Sequence, residues 1–252
     1  IRTLTDGFNQ MTEEISHLMK DIEQKEKDIN TANFNFLRAQ INPHFLYNTL
    51  FSIKCTVSAG QSEQACQMIS ILISLLRNSI STDQRTASLL SETNLITKYV
   101  KLQNLRYQNT IILKIESPTE LMELTMPRFL LQPLVENAIF HGLEPKGGHG
   151  SVLLDISTDL ENGDVLLRIT DDGVGMPPEL VAHLLDEPTE EAEKTEKFRH
   201  VGLWNVNRRI RYSFGESYGL TIESEEDVGT EVTIRLPYQK KGDSHAADIT
   251  GG

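Results

Sequence analysis

Residues 130–142 read LLQPLVENAIFHG, a run so apolar that it predicts a helix over 127–143 buried nearly all round. Its polar exceptions are Gln132, Glu136, Asn137 and His141. Buried polar groups need partners, and Asn137 and His141, four residues apart, share one helix face. An amide oxygen near a carboxylate is the ligand chemistry that Mg²⁺ prefers. The segment therefore predicts either a metal site or a purely structural polar network.

The sequence around this helix changes to short β-branched runs after residue 108. These runs predict strands at 110–116, 151–157, 164–170, 220–224 and 231–236. A second helix is predicted over 203–214, and the order of elements favours an antiparallel or mixed sheet with helices on one face. Residues 176–199 have little periodicity and should form a mobile loop, and the polar tail at 240–252 should be disordered.

The N-terminal half is helical in pattern. Apolar residues recur every 3.5 positions from Ile1 to Ala39, which predicts a coiled coil, or else a long amphipathic helix packed on its own domain. Helices at 34–59 and 65–80, separated at Gly60, can form a hairpin, and a third at 89–107 leads to the sheet. A coiled coil followed by a hairpin suggests a dimeric four-helix bundle.

His44 follows a proline within this helical pattern. Pro43 cannot donate to the carbonyl of Ala39, a defect that costs roughly 3 kcal/mol within a helix. A bend there would present the imidazole of His44, which carries a nucleophilic lone pair near neutral pH, to solvent. The alternative is a packing histidine beside a kink.

Two glycine-containing segments could contact a ligand. Asp171 ends a predicted strand and is followed by Gly173 and Gly175, so its carboxylate could accept a hydrogen bond from an exocyclic amine such as that of adenine. An ordinary Asp-Asp-Gly turn is the alternative. Gly202 precedes the predicted helix at 203–214, whose N-terminal N–H groups could hold a phosphate, although a glycine before a helix is common without any ligand.

Composition limits the possible partners. The 24 basic and 36 acidic residues give a formal net charge of −12, which opposes binding to nucleic acid or anionic lipid. No apolar run is long enough to span a bilayer. The chain begins inside a heptad pattern without an initiator methionine, so we expect a cytoplasmic fragment whose membrane anchor, if any, lies upstream.

Together these segments resemble the LytS/YesM class of sensor histidine kinases, whose ATP-binding domain belongs to the GHKL superfamily. Residues 40–50, QINPHFLYNTL, resemble its H box; residues 134–142, LVENAIFHG, its N box; and residues 171–176, DDGVGM, its D-x-G-x-G box. Residues 201–206, VGLWNV, resemble the second glycine box, with His200 in place of its first glycine. Gly229 and Thr230 match the end of a later G-x-G-T pattern, with Asp227 in place of its first glycine.

The resemblance implies a role for each matched residue. His44 would be the phosphoacceptor, Asn137 would bind Mg²⁺, and Asp171 would bind the adenine amine. Glu136 is the candidate for polarising the imidazole or a metal-bound water, while the acid that follows the phosphoacceptor in many histidine kinases is Phe45 here. The expected ATP-binding residues are Asn137, His141, Asp171, Gly173, Gly175, Gly202, Leu203 and Thr230.

We therefore expect an α+β chain in which a coiled coil and a helical-hairpin dimerisation bundle precede an α/β sandwich ATP-binding domain of the GHKL (Bergerat) type. The expected divisions are a HAMP-derived signalling helix at 1–33, a dimerisation and phosphotransfer domain at 34–108, the catalytic domain at 109–239 and a tail at 240–252. The expected function is Mg-ATP-dependent phosphorylation of His44 in a homodimer, then transfer to an aspartate in a response regulator's receiver domain. The alternatives are a GHKL ATPase that drives a conformational change, or a catalytically silent dimeric scaffold.

Overall fold

The structure is a computed structural model that describes residues 43–80, 86–107, 111–159, 161–187 and 199–238. The coiled coil predicted at 1–33 and the tail predicted at 240–252 lie outside the described residues, as do the first three residues of the H box. None of the described helices is both long and apolar enough to cross a membrane.

Two helices form the predicted hairpin. Helix α1 spans Pro43–Ser58 and helix α2 spans Ser62–Ile80. Gly60 lies between them with φ of +77°, a left-handed conformation that glycine adopts without steric cost. One face of the hairpin is buried; Ile53, Ala65, Met68, Leu72 and Leu75 are its buried apolar residues. The opposite face keeps large apolar side chains exposed, namely Tyr47, Leu50, Phe51, Val57, Ile69 and Ile73.

Helix α3 spans Leu89–Tyr107 and joins the hairpin to the sheet. On the hairpin side, the ring of Phe45 lies 5.3 Å from the ring of Tyr99, which is almost fully buried. On the sheet side, Asn104 bonds both backbone groups of Ile111, accepting its N–H at 2.9 Å and donating to its carbonyl at 2.7 Å. These contacts attach both halves of the chain to one helix.

A five-stranded mixed sheet forms the second half, as predicted. Its strands are β2 Ile111–Glu116, β4 Gly150–Asp159, β5 Asp164–Asp171, β6 Gly219–Glu225 and β7 Gly229–Pro237. They are ordered β2-β4-β5-β7-β6, with β2 parallel to β4 and the other pairs antiparallel. Alternate residues of the three central strands point into the core and are buried, including Leu154, Leu167 and Ile234.

A second, two-stranded sheet was not predicted. Strand β1, Thr86–Ser88, pairs antiparallel with β3, Thr125–Pro127, and a 3₁₀ turn at Thr119–Glu123 precedes β3. The N–H of Leu89 then donates to the carbonyl of Leu124 at 2.8 Å. Three-residue strands are too short to give a periodic signal. The pairing places the start of α3 beside β3.

The central helix differs in detail from the prediction over 127–143. Helix α4 spans Leu131–Asn137 and continues as a π-helical segment, Ala138–Leu143, followed by a 3₁₀ turn at Glu144–Lys146. The helix starts later than predicted because residue 129 has a left-handed backbone, with φ of 56°. π-Helical segments are rare and occur frequently at functional sites.

The range 176–199, predicted to be a loop, contains one short helix and ends where another helix begins. A short helix α5, Pro178–Val181, lies inside the range predicted to be a loop, and residues 188–198 are outside the described part of the chain. Helix α6 spans Arg199–Phe214 and so starts four residues before the predicted boundary at 203. Gly202 is therefore within the first turn of α6 and does not precede it.

Candidate functional site

A cleft open to solvent lies between the inner face of the sheet on one side and α4 with its π-helical continuation on the other. Six of the predicted site residues line it: Asn137, His141, Asp171, Gly175, Leu203 and Thr230. Its walls also include apolar side chains that sequence reasoning did not single out, among them Leu134, Ile169, Met176, Ile222 and Val232. Ile169, Ile222 and Val232 lie in predicted strands, whose pattern indicates a core but not the wall of a cavity. A largely apolar cleft with a few converging polar groups is typical of a small-molecule site.

Asp171 is the most buried charged side chain of this cleft, with 7% of its surface exposed. It ends strand β5, and its Oδ1 accepts the N–H of Gly173 at 2.9 Å. Burial raises the pKa of Asp171 to about 6, an effect to which the neighbouring Asp172 adds and which the N–H groups of Gly173 and Thr230 oppose. The carboxyl group is thus held in a fixed orientation by backbone donors.

Gly142 and Gly173 make room for that carboxylate. A Cβ on Gly142 would lie 2.5 Å from Oδ1 of Asp171, and a Cβ on Gly173 would collide with the backbone of Gly142. The N–H of Val174 donates to the carbonyl of Gly142 at 3.0 Å, so the loop after β5 is bonded to the π-helical segment. Gly142 was quoted in the sequence motif, but its contact with Asp171 had no sequence signal.

The second glycine of the loop is fixed against β6. Gly175 has φ of +63°, and a Cβ there would collide with the carbonyl of Glu225. The N–H of Asp227 donates to the carbonyl of Val174 at 2.8 Å, and Asp227 itself has φ of 62°. Asp is among the few non-glycine residues that tolerate a left-handed backbone. The departure from glycine at residue 227 therefore leaves the left-handed turn in place.

Asn137 and Glu136 are adjacent on α4 but differ in environment. The Nδ2 of Asn137 is buried and has no hydrogen-bond partner among the described residues. A buried donor without an acceptor costs free energy, unless a bound ligand accepts its hydrogen bond or makes the amide rotate to another partner. Glu136 is half-buried, does not line the cleft, and accepts a hydrogen bond from Nε2 of Gln132 at 2.8 Å. Burial raises the pKa of Glu136 to about 7, and the bond from Gln132 opposes the rise.

Gly202 lies beside Asn137, and Thr230 lies beside Asp171. A Cβ on Gly202 would be 3.8 Å from Nδ2 of Asn137, so the glycine brings the start of α6 beside the amide. The hydroxyl of Thr230 is 2.9 Å from that of Ser224, and Thr230 pairs with Asp171 across β5 and β7. Of His44 and His200 the structure describes only the backbone, in α1 and α6 respectively.

Comparisons with known proteins match both halves of the chain. Residues 32–111 match the family model described as histidine kinase. Residues 124–240 match the one described as histidine kinase-, DNA gyrase B- and HSP90-like ATPase.

Curated relatives agree with these matches. Sensor histidine kinase YesM of Bacillus subtilis is 34% identical over 93% of this chain and 38% of its own length. Sensor protein LytS of the same organism is 28% identical over 91% of this chain and 38% of its own length. Among solved structures, the histidine kinase domain from the Erythrobacter litoralis EL346 blue-light activated histidine kinase has a TM-score of 0.43 and 14% identity, covering 81% of this chain and 92% of that domain.

The chain spans about two fifths of the length of the curated relatives it matches (38% for YesM). The two family matches are adjacent, the histidine kinase match before the ATPase match, and sensor histidine kinases are relatives over more than nine tenths of the chain. The chain belongs to the histidine kinase family, in the LytS/YesM class of sensor histidine kinases.

Proposed function

We propose that this chain binds Mg-ATP in the cleft beside α4, phosphorylates His44, and passes the phosphoryl group to an aspartate of a response regulator. The observation that carries the proposal is the cleft itself, in which the buried carboxylate of Asp171 and the unpartnered amide of Asn137 face a largely apolar cavity. The family matches support the reaction type.

The apolar walls suit the adenine ring. Ile169, Met176 and Ile222 can contact its faces, while the carboxylate of Asp171 accepts a hydrogen bond from its exocyclic amine. The N–H of Gly173 occupies one lone pair of Oδ1, so the carboxylate keeps other lone pairs that can accept a hydrogen bond from the ligand. Gly173 and Gly175 let the loop pack against Gly142 and Glu225, which holds the carboxylate of Asp171 in the cleft. Asp171 thus determines which base is accepted.

The residues beyond the adenine suit phosphates and a magnesium ion. Asn137 lines the cleft, where its carboxamide oxygen would ligate the metal and its buried nitrogen, without a partner among the described residues, would donate to a phosphate oxygen. His141, Gly202, Leu203 and Thr230 border the same region and would contact the nucleotide. When bound, Mg²⁺ would neutralise phosphate charge. Magnesium in kinase sites takes few protein ligands, so one amide oxygen with the nucleotide's own oxygens fits that chemistry.

The chemical step needs His44 in line with the terminal phosphate. A ring nitrogen of His44 forms a bond to the γ-phosphorus while the bond from phosphorus to the bridging oxygen of ADP breaks, and ADP leaves. Glu136, with a pKa of about 7, can accept the N–H of the other ring nitrogen and stabilise the imidazolium that forms. The packing of Phe45 on Tyr99 anchors the residue next to His44 to α3.

A homodimer explains the exposed apolar side chains of the hairpin. Tyr47, Phe51 and Val57 recur on one face of α1, and Ile69 and Ile73 on one face of α2. Two such hairpins packed face to face would make the four-helix bundle expected for 34–108, with the catalytic domain at 109–239. We further propose that the full-length protein is held at the cell membrane by a segment outside this chain, with this part in the cytoplasm and a receiver domain as its partner.

The test is incubation of the full chain with γ-labelled ATP and Mg²⁺, followed by detection of acid-labile label. We expect label on the wild type and none on His44→Gln, while the control His149→Gln, at an exposed histidine, keeps full labelling. Release of free phosphate that is unaffected by His44→Gln would instead support an ATPase with Glu136 activating water. Absence of nucleotide binding, with Asp171→Asn without effect, would support the silent scaffold.

A further inference from the structure

Helix α4 begins without a capping side chain of its own. Leu130, at its N-cap position, is apolar and buried, with φ of −84° and ψ of −42°, and makes no side-chain hydrogen bond to the helix. The first N–H groups of an α-helix have no partners within it and must be satisfied otherwise when they are buried. This matters for function, because α4 carries Glu136 and Asn137.

Glu92, from helix α3, supplies the missing acceptor. Its Oε1 accepts the N–H of Phe129 at 2.8 Å, and its Oε2 accepts the N–H of Leu130 at 3.1 Å and, more weakly, that of Leu131 at 3.4 Å. Only 2% of Glu92 is exposed, although burial raises its pKa and so disfavours its charge. A buried carboxylate placed on three consecutive N–H groups acts as the N-terminal cap of α4, contributed from another helix.

The capped turn is conformationally demanding. Phe129 has φ of 56°, which is rare for an aromatic residue and costs free energy unless surrounding contacts hold it. The contacts are the bonds from Glu92 on one side and the guanidinium of Arg128, 5.1 Å from the centre of the Phe129 ring, on the other. Without Glu92 the turn would lose the acceptor that holds its backbone in place.

Two arginines connect the same turn to other helices. Arg209 of α6 donates from Nη1 to the carbonyl of Arg128 at 2.7 Å, and the charge of Glu92 opposes the lowering of the Arg209 pKa by burial. Arg128 donates from Nη2 to the carbonyl of Asn78 at 2.9 Å, near the end of α2. The turn before α4 is thus bonded to α2, α3 and α6.

We infer that Glu92 is a positioning residue for the nucleotide site: by capping α4 from α3, it makes nucleotide affinity depend on the helical half of the chain. The inference rests on the proposed binding of nucleotide by Asn137 and its neighbours. The contact joins the regions of the two family matches, because Glu92 lies within 32–111 and the capped turn lies within 124–240. Any movement of α3 relative to the turn would change this contact.

Loss of the cap should lower the fraction of molecules whose α4 is ordered and can bind nucleotide. Asn137 is six residues beyond Leu131, roughly 9 Å along the helix at 1.5 Å per residue, so fraying of the first turns reaches it. If the first turns are ordered in only a fraction of molecules, the apparent dissociation constant rises by the inverse of that fraction. The sheet, to which none of these hydrogen bonds runs, should be unaffected.

The experiment compares Glu92→Gln and Glu92→Leu with wild type in the full chain, measuring the dissociation constant for ADP with Mg²⁺ by calorimetry. The amide of Gln keeps one acceptor oxygen and Leu keeps none, so we expect a loss of about threefold for Gln and about tenfold for Leu, the range for loss of a cap. Amide hydrogen exchange should accelerate within 129–137 and stay unchanged in β5 and β7.

The matched control is Thr93→Val, on the same helix. Thr93 is also buried, and its hydroxyl donates to the carbonyl of Leu90 at 3.0 Å, so this variant removes a buried hydrogen bond in which α4 takes no part. It should lower the melting temperature while leaving ADP affinity and exchange in 129–137 unchanged.

The outcomes separate the two proposals. Wild-type chain that does not bind ADP would refute the proposed nucleotide site. If wild type binds and both Glu92 variants bind equally well at a temperature where they are folded, the positioning role is refuted. If Glu92→Leu does not fold, the Gln variant decides: unchanged affinity refutes the role, and weakened affinity with faster exchange only in 129–137 supports it.

Discussion

Gly142 and Asp171 are in such close contact that the π-helical segment cannot carry a side chain where it passes the carboxylate. A Cβ on Gly142 would lie 2.5 Å from Oδ1 of Asp171 and 3.0 Å from its Cγ. The same glycine accepts the N–H of Val174, so the helix, the strand end and the loop meet at one point. The orientation of Asp171 in the cleft therefore depends on a residue that contributes no side chain.

The first prediction concerns Gly142→Ala. The added methyl group would displace the Asp171 carboxylate, and we expect ADP affinity to fall by at least about tenfold and the free energy of unfolding to fall by about 1–3 kcal/mol, as for overpacking in a core. Calorimetry and urea denaturation measure the two effects. Gly163→Ala, in a turn with φ of +72° and open space around it, is the control that should lower stability and leave ADP affinity unchanged. Wild-type affinity in Gly142→Ala would contradict the assigned contact.

The second prediction is a pH dependence of nucleotide binding. The pKa of Asp171 is raised to about 6, and the ionised carboxylate is the better acceptor for an adenine amine. Affinity for ADP should be constant above that pH and fall by up to about tenfold per pH unit below it. Titration calorimetry between pH 5 and pH 8, both about one to two units from that value, measures the profile. Asp171→Asn should bind weakly with no such inflection, and an inflection of equal size in that variant would exclude Asp171 as its origin.

The third prediction is that the same carboxylate reduces the stability of the nucleotide-free protein. The folded-state pKa of Asp171 lies above its ordinary value of 3.8, so folding favours the protonated carboxyl group. The stabilisation by this protonated group is complete below pH 3.8 and is lost as the pH rises through about 6. At pH 8, roughly two units above the pKa, Asp171→Asn should therefore melt at a higher temperature than wild type while binding ADP more weakly. Scanning calorimetry without nucleotide tests this, and a lower melting temperature for the variant would contradict it.

Periodic sequence determined how much of the fold was predictable. The second hairpin helix, helix α3 and all five strands of the mixed sheet were predicted close to their observed bounds because each is long enough to repeat its pattern. The first hairpin helix ends one residue before its predicted end, and its predicted start at 34 lies outside the described residues. The short strands β1 and β3 were not predicted. Helix α4 begins later than predicted because Phe129 has a left-handed backbone, which an aromatic residue in the sequence does not indicate. These failures depend on tertiary contacts.

The candidate site shows the same division. The polar motif residues Asn137, His141 and Asp171 were predicted, and the structure places all three on one cleft. The contact of Gly142 with Asp171 joins positions far apart in sequence, and the cap from Glu92 joins residues 37 to 39 positions apart. No local pattern encodes such pairs. The phosphoacceptor role of His44 and the effect of His200 on the glycine box stay predictions, because the structure describes only the backbone of these two residues.

The fourth prediction concerns Asp227, which occupies a position where the family pattern has glycine. With φ of 62°, Asp227→Gly should change the free energy of unfolding by no more than about 0.5 kcal/mol, because Asp already tolerates this conformation. Asp227→Val should destabilise by about 1–3 kcal/mol, because a β-branched residue is strained there. Urea denaturation of both variants measures the difference. Equal stability of the Val and Gly variants would mean that the backbone at residue 227 is not left-handed in solution.

The last prediction tests the exposed apolar face of the hairpin. Phe51 has 65% of its surface exposed, and in the proposed dimer it is buried against a second hairpin. In a symmetric dimer, glutamate at this position would bury two charges, one from each copy. Phe51→Glu should therefore weaken dimerisation by at least about 100-fold. Analytical ultracentrifugation across a concentration series measures the change. Ile112→Glu is the matched control, because Ile112 is equally exposed at 68% but lies on strand β2, outside the hairpin. We expect this control to dimerise as wild type; a dimer broken by Ile112→Glu and kept by Phe51→Glu would place the interface on the sheet edge instead.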